Sequence, residues 1–257
     1  MSDSFDKLVA ITSELREKCP WDNKQTLDSL KKYTLEEVYE LHDAIDKKNY
    51  TELKEELGDI LFHLLFYTKI AAEEKQFSLE EMLDTQCKKL IFRHPHIYAA
   101  ELPEGLQEVK NEEDVKLNWQ KIKLKEGKKS VLEGVPTAMP AVIKANNMQT
   151  KAAAVGFDWE NADQVWGKVY EEIDELKEAQ QSQDIEKITD ELGDVLFSIV
   201  NLSRFLKVDA EQALQRTNEK FKKRFQYIEQ QAAAAGTTLQ NMSLEEMEKH
   251  WQAAKSL

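Results

Sequence analysis

The chain has few of the residues that interrupt helices and few of those that cross-link a fold. Its 257 residues include eight glycines, five prolines and two cysteines, Cys19 and Cys87. These cysteines form no CxxC pair and no zinc-ligand spacing, so a reduced chain in the cytoplasm is expected. No apolar run approaches the ~20 residues of a membrane span, and the charged N-terminus lacks the apolar segment of a signal peptide.

The chain also has fewer basic residues than acidic residues. The 35 lysines and arginines stand against 48 aspartates and glutamates, which gives a formal net charge of −13. This balance argues against a general nucleic-acid binder and against a protein that adheres to anionic membranes, so neither is expected as a partner. It also argues against a phosphate-bearing substrate, unless bound cations offset the acidic groups. The chain is nevertheless 41% hydrophobic, which is too apolar for a disordered protein.

Long stretches without proline favour long helices. No proline lies between Trp21 and His94, and none follows Pro140. Proline breaks a helix interior and glycine weakens it, so their scarcity permits long helices. Apolar residues in the first stretch recur at the spacing of one helical face: Leu53, Leu57, Ile60, Leu61, Leu64 and Leu65. No segment shows the sustained alternation of a strand, so an all-α fold is expected.

One segment is rich in helix-breaking residues. Residues 126–140, EGKKSVLEGVPTAMP, contain two glycines and two prolines in a chain that otherwise has few of either. We therefore expect two domains, residues 1–125 and 126–257. The alternative is a loop inside one larger domain.

The two halves of the chain are a repeat. Residues 36–70 align without a gap to residues 171–205 at an offset of 135, and eleven of these 35 positions are identical. A duplicated helical domain is the simplest account of this similarity, and it supports the division into two domains.

Most of the identical polar positions are acidic. Each copy contains Glu-Glu-x-x-Glu, then fifteen residues, then Glu-x-x-Asp. The first copy supplies Glu37, Glu40, Glu56 and Asp59, and the second supplies Glu172, Glu175, Glu191 and Asp194. Residues three apart share a helix face, and the polar segment 180–184 (QQSQD) suits a turn between two antiparallel helices. The carboxylate pairs are therefore expected to face each other across a helical hairpin.

Clustered carboxylates repel each other, and a divalent cation offsets that repulsion. A set of oxygen ligands without His or Cys favours Mg²⁺ or Mn²⁺ over Zn²⁺. One alternative is that these residues are solvated helix faces. Another is a di-iron bundle, which usually contains Glu-x-x-His motifs. Here the third position is never His, and the counterpart of His63, one turn after Asp59, is Ser198.

The order of these motifs resembles the MazG family of nucleoside triphosphate pyrophosphohydrolases over nearly the whole chain. The first half contains CPWD (19–22), YTLEEVYEL (33–41), ELGDILF (56–62) and RHPH (93–96). The second half contains VGFDW (155–159), VYEEIDEL (169–176), ELGDVLF (191–197) and NEKFKKRF (218–225). The resemblance implies two tandem helical bundles of the all-α NTP pyrophosphatase type and an intertwined homodimer. It also implies hydrolysis of an NTP or dNTP between the α- and β-phosphates, to a nucleoside monophosphate and pyrophosphate.

Within that activity each residue type has a physical role. The catalytic set comprises Glu171, Glu172, Glu175, Glu191 and Asp194. The last four would hold the metal, and Glu171 is a candidate to orient or deprotonate the attacking water. Lys220 and Arg224 share a helix face and are candidates to meet the triphosphate, while Trp251 is a candidate to flank the base. The alternatives are a solvated cationic face for the first two residues and core packing for Trp251.

The two copies differ in nearby basic residues. Lys168 lies four residues before Glu172, where the first copy has Tyr33, and Lys187 lies four before Glu191, where the first copy has Glu52. These lysines are further candidates for substrate binding, so the C-terminal half is expected to contain most of the activity. The alternative function is a nucleotide- or protein-binding regulator on the same fold that has lost turnover.

Overall fold

The structure is a computed structural model that describes residues 3–100, 102–111, 114–115, 118–119, 122 and 130–256. The chain divides into two compact units, Met1–Val115 and Lys116–Leu257. The described residues form ten α-helices and two 3₁₀ turns, without a strand, which confirms the all-α prediction. The predicted domain boundary between positions 125 and 126 lies outside the described residues and stays a prediction. Of the helices described, none combines the length and the hydropathy that crossing a bilayer requires.

The N-terminal unit is built around one helical hairpin. Its helices are α1 (Asp3–Lys18), α2 (Leu27–Asp46), α3 (Tyr50–Glu73), α4 (Leu79–Arg93) and α5 (Pro95–Tyr98). Helices α2 and α3 pack along each other, and α1 and α4 pack against α3. The Arg16 guanidinium pairs with Glu73 at 2.9 Å and donates to three carbonyls in the segment before α2, so it ties α1 to the hairpin.

The C-terminal unit repeats this plan. Its helices are α6 (Ala141–Ala153), α7 (Ala162–Ser182), α8 (Ile185–Phe205), α9 (Ala210–Ala234) and α10 (Leu244–Ala254). Helices α7 and α8 form the central hairpin. Helix α6 packs against α8 and α9, and α10 packs against α9.

The two hairpin turns match each other in backbone geometry. Asn49 and Asp184 are the N-caps of α3 and α8, and the side chain of each accepts from the amides two and three residues further on. Such caps satisfy donors that a helix start would otherwise leave unpaired. The preceding residues, Lys48 and Gln183, adopt left-handed φ angles of 53° and 57°. In each hairpin the chain thus reverses direction within a few residues, as the polar segment 180–184 predicted.

Apolar clusters of equivalent position hold the hairpins together. The N-terminal cluster contains Leu30, Phe66 and Ile70, with Tyr33, Phe62 and Tyr67 packed against it. The C-terminal cluster contains Val165, Val169 and Leu202, with Ile173 and Phe205 packed against it. Burial of these side chains supplies the main favourable contribution to folding, and it fixes the register in which the carboxylates of the paired helices meet.

The apolar residues of α3 and α8 form two sides rather than one buried face. Leu65 and Phe66 are buried in α3, as are Val195 and Val200 in α8. The other side stays 36% to 57% exposed and lies at the same positions in both copies: Leu57, Leu61 and Leu64 in α3, and Leu192, Leu196 and Ile199 in α8. A stripe with this spacing is typical of a helix that packs against a further helix.

Burial distinguishes two leucines of α2, and it predicts their contributions to stability. Leu30 is 2% exposed and Leu35 is 53% exposed. We expect Leu30→Ala to lower the free energy of unfolding by about 2–5 kcal/mol, because it removes buried apolar contacts and leaves a cavity. Leu35→Ala is expected to change it by about 0.5 kcal/mol or less. Guanidinium chloride unfolding of the two variants measures both, and equal losses would contradict the assigned core.

Candidate metal and nucleotide site

The α7–α8 hairpin brings the carboxylates of the second copy together. One oxygen from each of Glu172, Glu175 and Glu191 lies within 4.8 Å of the others. Glu172 is buried, at 6% exposure, although it is ionisable. Asp194, the fourth predicted ligand, lies outside this group and lines a cavity that Glu172 also lines.

The α2–α3 hairpin repeats the arrangement with a different third member. One oxygen from each of Glu37, Glu56 and Asp59 lies within 4.8 Å of the others. Glu40 lies outside this group, yet its charge acts on Glu37 and Glu56. Neither group of three includes a histidine among the described residues.

Burial and neighbouring carboxylates raise the pKa values of several of these residues. Burial raises the pKa of Glu37, and the charges of Asp59 and Glu40 raise it further. Burial likewise raises the pKa of Glu56, with Glu40 as the next cause. The pKa of Glu175 is raised first by a hydrogen bond with Glu172 and then by burial. Each of these shifts disfavours the charged form, which is the form that binds a cation.

The donor set fits a hard divalent cation. All members of both groups are carboxylates, which suit Mg²⁺ or Mn²⁺. In the N-terminal group, Oε2 of Glu56 is buried and has no hydrogen-bond partner among the residues that the structure describes. A buried acceptor without a partner is destabilising, and a bound cation would satisfy it.

Lys168 makes the two sites electrostatically different. Its ammonium lies 2.8 Å from Oε1 of Glu171 and 2.7 Å from Oε1 of Glu172, and these contacts raise the pKa of Lys168. The second copy therefore contains a cation that partly offsets its carboxylates. At the equivalent position, Tyr33 packs against the N-terminal core.

The other predicted substrate residues lie on α8, α9 and α10. Lys187 is exposed in the first turn of α8, and Lys220 is exposed on α9. The Arg224 guanidinium carbon lies 5.5 Å from the ring centre of Trp251, whose ring also packs against Phe221 at 5.3 Å. None of these residues lines the cavity next to Glu172, so their roles in substrate binding stay predictions.

A cavity of about 550 Å³ adjoins the C-terminal carboxylates. Lys168, Glu172 and Asp194 are among the residues that line it. The remaining lining is largely apolar and includes the aromatic residues Phe157, Trp159 and Phe197. Its polar members are Gln149, Asp158, Ser198, Asn201 and Arg204. The volume lies within the range of ~300–1,000 Å³ that is typical of small-molecule sites.

Sequence reasoning missed most of these lining residues. The VGFDW motif contains Phe157, Asp158 and Trp159, so it indicated part of the lining without assigning it a role. Arg204 pairs with Asp158 across the cavity lining and also donates to Oδ1 of Asn201 at 2.9 Å. No spacing rule links Gln149 to the hairpin, because that contact joins two residues that are 48 positions apart in the chain.

The first copy has different residues at the corresponding positions. Ser198 and Asn201 align with His63 and Phe66. Phe66 is 1% exposed in the N-terminal core, and His63 is buried, with no hydrogen-bond partner for Nδ1 in the described part of the chain. Burial lowers the pKa of His63, which favours the neutral imidazole.

The structure is thus that of an all-α protein with a duplicated helical hairpin whose facing carboxylates could hold a metal ion, and whose second copy adds a lysine and an adjoining cavity. The model of the MazG nucleotide pyrophosphohydrolase domain matches residues 25–98 and 162–228, one match in each unit. The chain therefore belongs to the MazG family.

Full-length relatives agree with this membership. The chain is 41% identical over 262 residues to the nucleoside triphosphate pyrophosphohydrolase of Escherichia coli K12, covering 98% of this chain and 97% of that protein. It is also 41% identical over 256 residues to the nucleoside triphosphate pyrophosphohydrolase/pyrophosphatase MazG of Thermotoga maritima, covering 98% of this chain and 95% of that protein.

The raised pKa of Glu175 predicts how stability depends on pH when metal is removed. Folded Glu175 holds a proton more tightly than unfolded Glu175, so its contribution to stability falls as the pH rises above the ordinary carboxyl range. We expect Glu175→Gln to raise the melting temperature in EDTA at neutral pH, and this gain to disappear in acid, where Glu175 is already protonated.

Thermal unfolding in EDTA at several pH values measures this difference. Glu178→Gln is the control, because Glu178 is exposed on the same helix and outside the carboxylate group. Excess Mg²⁺ at neutral pH should reverse the order, since the wild type binds the cation more tightly than Glu175→Gln does. A melting temperature in EDTA at neutral pH that is no higher in Glu175→Gln than in the wild type would show that repulsion at this residue is unimportant.

Proposed function

We propose that this chain is a Mg²⁺-dependent nucleoside triphosphate pyrophosphohydrolase that cleaves NTPs or dNTPs between the α- and β-phosphates. The products are a nucleoside monophosphate and pyrophosphate. One observation supports this proposal above the others: a buried carboxylate, Glu172, contacts Lys168 and lines the same cavity as Asp194 and several aromatic side chains. Such a cavity offers groups for the charged and the apolar ends of a nucleotide.

We assign the metal site to the carboxylates that the α7–α8 hairpin brings together. Glu172, Glu175 and Glu191 would hold Mg²⁺, or Mn²⁺, and Asp194 would complete the site in the C-terminal unit. When bound, the ion supplies positive charge that offsets the phosphates and makes the attacked phosphorus more electrophilic.

The side chains of the chain itself bind and orient the reactants. Lys168, whose ammonium lies between Glu171 and Glu172, donates to phosphate oxygens of the substrate. Glu171 is exposed and accepts a proton from the attacking water or orients it. Lys187, Lys220 and Arg224 bind the distal phosphates in this proposal, and Trp251 flanks the nucleotide.

The C-terminal unit is proposed as the main catalytic unit. Lys168 is replaced by Tyr33 in the first copy, and Lys187 is replaced by Glu52. A polyanionic substrate therefore meets less positive charge in the N-terminal unit. The N-terminal carboxylates Glu37, Glu40, Glu56 and Asp59 are proposed to bind metal without supporting most of the turnover.

The proposal includes a homodimer. The exposed apolar stripes of α3 and α8 would be covered by a second copy, since such stripes are typical of helices that pack further. We also place the protein in the cytoplasm, which agrees with the free thiols of Cys19 and Cys87.

Pyrophosphate release from NTPs and dNTPs tests the proposed function. We expect release in the presence of Mg²⁺ and its loss on addition of EDTA. Glu172→Ala should lower kcat/KM by about 100-fold or more, because it removes a ligand of the ion that offsets the negative charge of the transition state. Glu37→Ala, at the aligned position of the first copy, should leave most of the activity.

Two results would oppose this account. Loss of turnover in Glu37→Ala with retention in Glu172→Ala would place the main site in the N-terminal unit. Absence of pyrophosphate release from every nucleotide tested would instead favour a nucleotide- or protein-binding regulator on the same fold.

A further inference from the structure

One buried amide in the C-terminal cavity uses its nitrogen but not its oxygen in hydrogen bonds among the described residues. Gln149 lies on α6, is 7% exposed, and donates from Nε2 to the carbonyl oxygen of Phe197 at 2.8 Å. This bond fixes the orientation of the amide, so its other atom, Oε1, is an acceptor. Oε1 is buried and has no partner among the described residues. Since buried polar atoms are almost always paired, this acceptor indicates a donor that is supplied from elsewhere.

A second acceptor and a donor line the same cavity. The Ser198 hydroxyl donates to the carbonyl oxygen of Val195 at 2.9 Å, which leaves its oxygen lone pairs to accept. Asn201 accepts two N–H groups of Arg204 at its Oδ1, and its Nδ2 has no partner in the part of the chain that the structure describes. Gln149 and Ser198 thus offer acceptors, and Asn201 offers a donor.

This pattern matches the edge of a nucleobase that has an amino group. In adenine and cytosine an exocyclic amino group, with two N–H donors, lies next to a ring nitrogen that accepts. Hypoxanthine and uracil have a carbonyl oxygen in place of the amino group and an N–H in place of the ring acceptor. With either of these bases, an acceptor would meet an acceptor and the Asn201 donor would meet a donor.

We propose that Gln149, with Ser198, is a specificity residue that selects nucleotides whose base has an exocyclic amino group next to a ring nitrogen that accepts, as adenine and cytosine do. The inference rests on the proposed function, because it takes Lys168 and the carboxylates as the phosphate end of the same cavity. Phe157 and Trp159 supply faces on which any base can stack, so they contribute binding without selecting between bases. The N-terminal unit has His63 and Phe66 at the positions of Ser198 and Asn201 and lacks this pattern.

The test compares nucleotides that differ only in this edge. For the wild-type chain we expect kcat/KM to be about tenfold higher for ATP than for ITP, and likewise for CTP than for UTP, as one discriminating hydrogen bond implies. Gln149→Met removes the acceptor and should bring both ratios close to one. The change should appear as a higher KM for ATP and CTP, with kcat little altered.

Two further variants keep the test decisive. Gln230→Met, at an exposed glutamine of α9, should leave both ratios unchanged. Ser198→Ala removes the second acceptor with little disturbance of α8 and should lower both ratios, so it decides the matter if Gln149→Met does not fold. Equal kcat/KM for ATP and ITP in the wild type would overturn the proposal. So would unchanged ratios in folded Gln149→Met or, if that variant does not fold, in folded Ser198→Ala.

Binding of monophosphates separates this inference from the proposed hydrolysis. Titration calorimetry with AMP and IMP requires no turnover, and we expect AMP to bind more tightly to the wild type and equally to Gln149→Met. Tighter binding of AMP in a chain that hydrolyses no nucleotide would leave the inference standing and remove the proposed function. Normal hydrolysis with equal binding of AMP and IMP would remove the inference alone.

Discussion

Mutual repulsion between carboxylates held across a helical hairpin is the constraint on which the structure of both sites depends. In each unit three carboxylate oxygens lie within 4.8 Å of one another, and the pKa values of Glu37, Glu56 and Glu175 are raised as a result of burial and neighbouring acids. The apolar clusters of the hairpins offset this repulsion by burying large side chains. The acidic surplus of the chain is therefore partly located in two sites that suit divalent cations.

The two copies balance this repulsion differently. In the C-terminal unit the Lys168 ammonium contacts Glu171 and Glu172 directly. The N-terminal unit has Tyr33 at that position, and Oε2 of Glu56 is buried with no hydrogen-bond partner in the described ranges. The same duplication thus provides one site with a lysine at this position for a polyanionic substrate and one with a tyrosine in its place. The two copies also differ in the polar residues of the C-terminal cavity, since the aligned residues of the first copy include the core residue Phe66.

Local signals in the sequence predicted the helices, the hairpins and the carboxylate groups. Spacings of three residues on a helix and an aligned repeat are sufficient to place Glu172 beside Glu175 and to match them with Glu37 and Glu40. The grouping of Asp59, rather than Glu40, with Glu37 and Glu56 depends on side-chain positions that spacing does not define.

Features that depend on tertiary packing could not be read from spacing. Gln149 on α6 and Phe197 on α8 both line the cavity and are joined by a hydrogen bond, and no periodicity connects the two helices. The predicted apolar face of α3 is also divided, because Leu65 packs inside the unit while Leu57 and Leu64 stay exposed. Hydrophobic periodicity identifies the apolar residues of a helix, but it does not say which neighbour each residue meets.

Direct titration with Mn²⁺ tests the central claim that these carboxylate groups are cation sites. Calorimetry on the full chain should detect binding in the wild type, and the double variant Glu172→Gln, Glu191→Gln should lose the C-terminal part of it. The matched control Glu178→Gln, Glu186→Gln replaces exposed acids of the same two helices and should bind as the wild type does. Unchanged Mn²⁺ binding in the Glu172, Glu191 variant would contradict the account, because the clustered carboxylates would then hold no ion.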